Sequence, residues 1–469
     1  MGSHTSKKHG SSRNLQLHVP KYDLNHFGVI TVLFNPIKYK SRYESYHKFD
    51  EHMTRSGVTL LTVECIFESP ESMGLPRQKF EITRANDPRH LQISAPSVLW
   101  LKENLINIAV KRLPSYVEYI AWLDADIEFE RLDWPHLAIY QLQQYPIVQL
   151  FELSSFLGPS GKSQILRQDY SFAYAIRHEQ RIDPRRSSEC FVHPGYAWAM
   201  HRTTFDEMGG LLDFSILGSG DIHFAYALIN RIEETIPMGI HEDYRSLAKI
   251  WGQRVAQLAG NGSFVGYIPV NIYHYWHGHR VDRGYFDRWS ILERCQFTPL
   301  KDLEKNNQTG LLRLTDYSRF QRGEAKKRSE SIEKMIISYF RSRNEDNLKK
   351  PIPTINLTMP TPKPRILAND VVRPSNTLPP FSRESWTTDI NRTYNDSEYI
   401  PIQDARSGYH TVGTSSLSAQ LLNDSFFHPS IRETRFSQKY RNQDVPGQFV
   451  YYDDDNGNDC PVAPGEISF

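Results

Sequence analysis

The chain has 469 residues, 39% hydrophobic and 12% aromatic, enough for a large core and for two or three domains or one large domain with extensions. Its formal net charge of +1 gives no global electrostatic case for nucleic acid or an anionic membrane. No apolar run approaches the ~18 residues of a membrane span, and residues 1–25 are polar and basic without the apolar stretch of a secretory signal, so a cytoplasmic protein with a disordered N-terminal arm is expected.

FGVITVLF, residues 27–34, is β-branched and aromatic and ends at Asn35-Pro36, the pattern of a strand. SRYESYHKFDEHMTRSG then places Tyr43, Tyr46, Phe49 and Met53 at helical spacing, and VTLLTVECIF reads as a second strand. Strand, helix, strand argues a βαβ unit and a parallel sheet. Phe80–Thr83 is a short candidate strand. SVLWLKENLINIAVKRLP reads as an amphipathic helix ended by Pro114, and it feeds the strand YIAWL. Asp124 and Asp126 therefore fall at the carboxyl end of a parallel strand, the edge where open α/β sheets bind ligands.

YPIVQLFELSSFLG predicts another strand and a loop, and residues 158–190, with Arg181, Arg185 and Arg186, a polar excursion. TTFDEMGGLL predicts a short helix capped by Gly209-Gly210, and ILGSGDIHFAYALIN a glycine-rich turn entering an apolar helix. YRSLAKIWGQRVAQLAG is amphipathic, and FVGYIPVNIYHYWHGHR predicts a strand running into histidines. Residues 322–350 are charged and helical in pattern, with Ile332, Met335, Ile336 and Tyr339 on one face. From Pro351 the composition is that of a disordered tail with room for short segments that dock on protein partners.

Three constellations carry chemistry. Asp124-Ala125-Asp126 offers hard oxygen ligands suited to Mn²⁺ or Mg²⁺, or is simply an exposed acidic turn. His274, His277 and His279 either pack among aromatics, complete a carboxylate-bound Mn²⁺ site, or bind zinc. Asp221, after Gly218-Ser219-Gly220, either caps a helix or is a general base beside a substrate hydroxyl. The 4 cysteines lie far apart with no CxxC pair, which fits free thiols rather than a zinc ribbon or disulfide framework.

The order of these motifs resembles that of metal-dependent glycosyltransferases of the GT-A fold. KENLINIAVKRLPSYVEYIAWLDAD is similar to that family's helix and DxD-ending strand. FVHPGYAWAMHRTTFDEMGGLLDFSILGSGD is similar to its acceptor half, as in β-1,4-galactosyltransferases and polypeptide N-acetylgalactosaminyltransferases. LWLKENL, AWLDADI, HPGYAWA, GSGD and HYWHG are also similar to segments of glycosyltransferase-like proteins of microbes, viruses and phages.

The resemblance covers residues 27–315 and implies an α/β fold, a Rossmann-like mixed sheet flanked by helices. A catalytic domain at 26–320 follows from it, while composition adds an arm at 1–25, a charged helical extension at 321–350 and a mostly disordered tail at 351–469. The resemblance implies transfer of a sugar from a nucleotide-diphosphate donor, UDP-linked, to a hydroxyl acceptor. Asp126, with Asp124, becomes the metal ligand, His277 the preferred histidine, His274 the next and His279 the third. Asp124 also becomes a ribose partner and Asp221 the base. Asn35, Glu64, Lys102 and Asn107 become donor-binding residues, and Gly195, Tyr196 and Trp198 shape the sugar or acceptor site. A single acid after the glycines, where relatives carry a Glu-Asp pair or a Trp-Gly-Gly-Glu run, leaves inversion or retention open. The alternatives are a metal-dependent phosphohydrolase, although Ile127-Glu128 follow the DxD where such enzymes need Thr or Val, and a catalytically idle scaffold whose tail recruits partners.

Overall fold

The computed structural model describes residues 23–68, 70–182, 192–284, 287–315 and 324–347. The expectations for most of the arm, for Arg185 and Arg186 and for the tail from 351 lie outside the described residues. The first half comprises β1 (Phe27–Phe34), α1 (Lys40–Arg55), β2 (Thr59–Phe67), β3 (His90–Ala95), α2 (Lys102–Val110), β4 (Tyr119–Leu123), β5 (Ile127–Phe129), α3 (Trp134–Leu142), β6 (Ile147–Gln149), β7 (Leu153–Gly158), β8 (Gly161–Ser171) and α4 (Phe172–Arg177). The second comprises β9 (Val192–His193), β10 (Ala197–His201), α5 (Arg202–Met208), α6 (Gly220–Leu228), α7 (Glu242–Leu258), β11 (Val265–Tyr267), β12 (Ile272–His274), α8 (Asp287–Arg294), α9 (Pro299–Asp302), β13 (Leu303–Lys305), β14 (Leu312–Leu314) and α10 (Glu324–Ser342). No helix among the described residues is long and apolar enough to cross a membrane.

The fold is α/β, built on a mixed 7-stranded sheet of order β11-β6-β10-β4-β1-β2-β3. Only β10 runs against the others. Both faces are covered, which explains why β1 and β4 are almost wholly apolar. Side chains alternate between the faces: Ile30, Ile120, Trp122 and Trp198 pack on one core, and Val29, Tyr119, Ala121 and Ala199 on the other. The first core lies under α2, α5, α6 and α7, the second under α1 and α3.

A second sheet has the order β5-β12-β7-β8-β9. The codirectional strands β4, β6 and β11 each leave the large sheet at their carboxyl end and continue within a few residues as β5, β7 and β12 of the small one. β9 returns the chain to β10. The site described below lies along these crossings.

Several sequence expectations need correction. Phe80–Thr83 is a bend, not a strand, because its backbone amides turn inward to the Glu64 carboxylate. Residues 145–158 and 264–280 each hold two strands in different sheets rather than one, because the chain bends as it crosses. The described part of 158–190 is β8 and α4: β8 is polar because most of its residues are only half-buried, which hid its strand pattern. The helix predicted from Ser97 begins only at Lys102, and the Trp100 amide bonds to the Ile216 carbonyl instead. The α10 stripe is as expected in kind: Ile332, Ile336, Ile337, Tyr339 and Phe340 join the first core, with Phe340 edge-on to Phe34 and stacked on Trp100.

Candidate active site

Three residues, Asp124 to Asp126, carry the chain from β4 to β5. The antiparallel pairing of β5 with β12 sets His274 opposite Ile127, and the Tyr275 amide donates to the Asp126 carbonyl at 2.8 Å. This register brings the histidine segment onto the DxD turn. His277 Nε2 lies 3.1 Å and His274 Nε2 3.7 Å from Asp126 Oδ2, and the two Nε2 atoms are 3.3 Å apart. One ligand atom from each of Asp126, His274 and His277 falls within 4.8 Å of the others. His279 turns away and packs edge-on against Trp276.

Asp126 Oδ1 is buried with no hydrogen-bond partner among the described residues. Two imidazole nitrogens beside Asp126 Oδ2, with the second oxygen of that carboxylate left unsatisfied, make a donor set suited to a borderline-hard divalent ion. The carboxyl of Asp126 sits below the usual carboxylate range: burial opposes ionisation, but His274, His277 and Arg283 outweigh it. Burial lowers the His274 imidazole well below its ordinary value, against the pull of Asp126, and the neutral imidazole is the form that ligates.

Asp124 lies beside this centre and pairs with the Lys102 ammonium at the first turn of α2. Burial pushes its carboxyl up, against the pull of Lys102. Glu103, the next residue, is buried beneath Gly220, and burial raises its carboxyl to about 7.

Asp221 stands in the first turn of α6, its Oδ1 accepting from the Ile222 amide at 3.0 Å. Gly195 makes room for it: a Cβ there would lie 2.6 Å from Asp221 Oδ2. Two non-glycine residues beside it adopt left-handed backbone, Tyr196 at φ 74° and Ser219 at φ 81°. Such conformations cost about 1–3 kcal/mol each and gather at functional sites.

A cavity of about 440 Å³ joins these groups. Lys102, Asp124, Asp126, Asp221, His274 and His277 line it, with Tyr196, Trp100 and Trp289 as aromatic walls. Arg42, Arg280, Arg283, Arg288 and Arg343 add positive charge, suited to an anionic ligand.

Asn35, Glu64 and Asn107 lie outside this lining. The Asn35 side chain closes the β1–α1 loop on both backbone groups of Tyr39, at 2.8 and 2.9 Å. Glu64 accepts from the amides of Glu81 and Thr83 and from the Thr83 hydroxyl at 2.6–2.9 Å. Asn107 makes a reciprocal pair with the Leu211 backbone, both bonds 2.8 Å. Trp198 is core, its indole donating to the Pro194 carbonyl.

Sequence reasoning missed the residues after α10. Glu345 is 1% exposed and receives Arg42 Nε and Nη2 at 2.6 and 2.8 Å and Arg343 Nε at 2.6 Å. Burial pushes its carboxyl up, but Arg42 and Arg343 hold it well below the usual range. Nothing in the local pattern marks it, since Glu345 sits among other charges and Arg42, which grips it with two donors, is 303 positions away.

No family model and no curated relative matches the chain. Among solved structures it is similar to the catalytic domain of Drosophila β1,4-galactosyltransferase 7 in complex with xylobiose, at 15% identity and a TM-score of 0.22, over 42% of this chain and 58% of that one. A mutant of that enzyme with manganese, UDP-Gal and xylobiose aligns at 15% identity and TM-score 0.22, over 43% and 59%. A protein described as a nucleotide-diphospho-sugar transferase from Desulfovibrio desulfuricans aligns at 11% identity and TM-score 0.24, over 67% of this chain and 98% of that one. This chain thus spans under two thirds of the galactosyltransferase domain, and likeness this slight carries no weight for the site, whose chemistry is read from its own residues.

Proposed function

We propose that the chain is a metal-dependent glycosyltransferase that moves a sugar from a nucleotide-diphosphate donor, UDP-linked, to a hydroxyl acceptor. The observation that carries this reading is the convergence of Asp126, His274 and His277 in a cavity rich in arginine whose lining also holds Asp221. Asp126, His274 and His277 would hold Mn²⁺, which when bound supplies positive charge for the departing diphosphate. Lys102 fixes Asp124 beside that centre, where its other oxygen can meet the ion or a ribose hydroxyl. Arg280, Arg283 and Arg288 offer donors for phosphate oxygens. If the transfer inverts, Asp221 accepts the acceptor proton as the acceptor oxygen bonds to the anomeric carbon and the bond from that carbon to the diphosphate oxygen breaks.

Titration of the full chain with a panel of UDP-sugars, with and without Mn²⁺, tests the reading. Metal-dependent binding of at least one donor, followed by its hydrolysis or transfer, is expected. No binding of any UDP-sugar in either condition, or release of phosphate from simple phosphomonoesters instead, overturns it.

A further inference from the structure

His277 presents Nε2 to Asp126 and His274, accepting there from Arg283 Nη2 at 3.1 Å, and its other ring nitrogen, Nδ1, to the Glu345 carboxylate 3.6 Å away. That separation is an ion-pair contact rather than a hydrogen bond. Nδ1 is buried and has no hydrogen-bond partner among the described residues. An imidazole that ligates through Nε2 carries its proton on Nδ1, and a buried N–H needs an acceptor. Glu345 is the carboxylate in place to be that acceptor.

We propose that Glu345, delivered by the segment after α10, is a positioning residue of the metal centre: it fixes the His277 ring and its Nδ1–H tautomer so that Nε2 faces the ion. The inference rests on the metal centre proposed above and goes beyond it by making the 343–347 segment part of that centre.

The carboxylate is aimed from both sides. Arg42 on α1 grips it with two donors, and Arg343 holds it from its own segment. The backbone of Asn344 and Glu345 lies directly on Gly278, the neighbour of His277: a Cβ on Gly278 would stand 2.7 Å from Glu345 Cα and 3.2 Å from the Asn344 carbonyl. Gly278 also takes φ 89°, so a side chain there is excluded twice. The segment is fastened further by Tyr39, whose hydroxyl meets the Phe340 and Arg341 carbonyls and the Asn344 amide at 2.9–3.0 Å. Asp346 accepts from the Lys40 and Ser41 amides at the start of α1, at 2.7 and 2.9 Å. A loose charged tail would show none of this. The contacts hold one carboxylate against one imidazole.

The experiment is Mn²⁺ binding by the full chain, read by titration and by electron spin-echo spectroscopy of the bound ion, which reports coupled histidine nitrogens. Wild type is expected to show two. Glu345→Gln is expected to weaken Mn²⁺ by about 10- to 100-fold and to alter one of the two couplings, with Glu345→Asp recovering part of the loss. Unchanged affinity and unchanged couplings in a folded Glu345→Gln chain overturn the inference and leave the centre intact. If Glu345→Gln does not fold, nitrogen NMR of the wild type loaded with Zn²⁺ decides. A proton on Nδ1 of His277 supports the inference, and an unprotonated Nδ1 overturns it. A wild-type chain that binds no Mn²⁺ overturns the inference together with the centre.

Discussion

Glu64 and Asp126 are two carboxylates on parallel strands that flank β1, one on β2 and one just past β4, yet their surroundings are opposite. Glu64, 3% exposed, receives backbone amides and a hydroxyl on both oxygens. Asp126 faces two histidine nitrogens with one oxygen and nothing with the other. A carboxylate saturated by its own chain holds a loop in shape. A carboxylate left short of partners in a cavity is available to a ligand. Sequence type and position on the sheet are nearly the same for both, so the pattern of donors distinguishes them.

The sharpest break of this contrast is Asp126→Ala, which should cut Mn²⁺ affinity beyond the ~10- to 100-fold that loss of an outer partner gives, with little loss of stability. Titration of the ion together with thermal melting checks both halves. Asp221→Asn should leave Mn²⁺ and donor binding intact and lower transfer by about 10²- to 10⁴-fold, measured as turnover at saturating donor. Glu64→Ala should do the reverse of Asp126→Ala: about 3 kcal/mol of stability lost, with Mn²⁺ affinity unchanged. A Glu64 variant that loses donor binding at full stability would restore it to the site and erase the contrast.

His223 extends the comparison to pH. It is fully buried between Thr235 and Tyr244, and burial, reinforced by Arg288 and opposed by Asp221, lowers its imidazole to about 3. The folded state therefore binds fewer protons than the unfolded one. Stability from this group is whole above the unfolded value of 6.5 and is lost as pH falls toward 3. Between pH 7 and pH 5 denaturant titration should show a loss of about 2 kcal/mol, and His223→Gln should flatten that slope. The smallest effect is expected of Asn107→Ala, about 1–2 kcal/mol of stability through the lost Leu211 pair, with no change in Mn²⁺ or donor binding.

What could be read in advance follows the range of the interactions. β1 and β4 were legible because strands covered on both faces must be apolar along their length, and the break at Asp124 was therefore conspicuous. Asp221 and the histidines were legible as types, because glycines and aromatics frame them locally. Which histidine approaches Asp126 depends on the register of β12 on β5, which no local pattern encodes. Asn35, Glu64 and Asn107 resembled binding residues because a polar side chain at a strand end or on a helix reads the same whether it caps a loop or touches a ligand. β8 was missed because a half-buried strand carries polar residues. Glu345 was missed because its burial depends on Arg42 and Gly278, far away in sequence.

The Tyr39 phenol has a consequence for synthesis. Asn35 fixes the backbone of Tyr39, and the Tyr39 hydroxyl then holds carbonyls and an amide 301 to 305 residues later in the chain. Arg42 likewise waits for Glu345, 303 residues downstream. At about 5–20 residues per second on the ribosome that separation takes about 15–60 s. Throughout that interval the growing chain already holds the arginine and, later, the histidines, but not the carboxylate that joins them. The centre is thus among the last parts of the domain to be assembled, and a nascent chain stopped before residue 345 would carry the DxD turn without its finished surroundings.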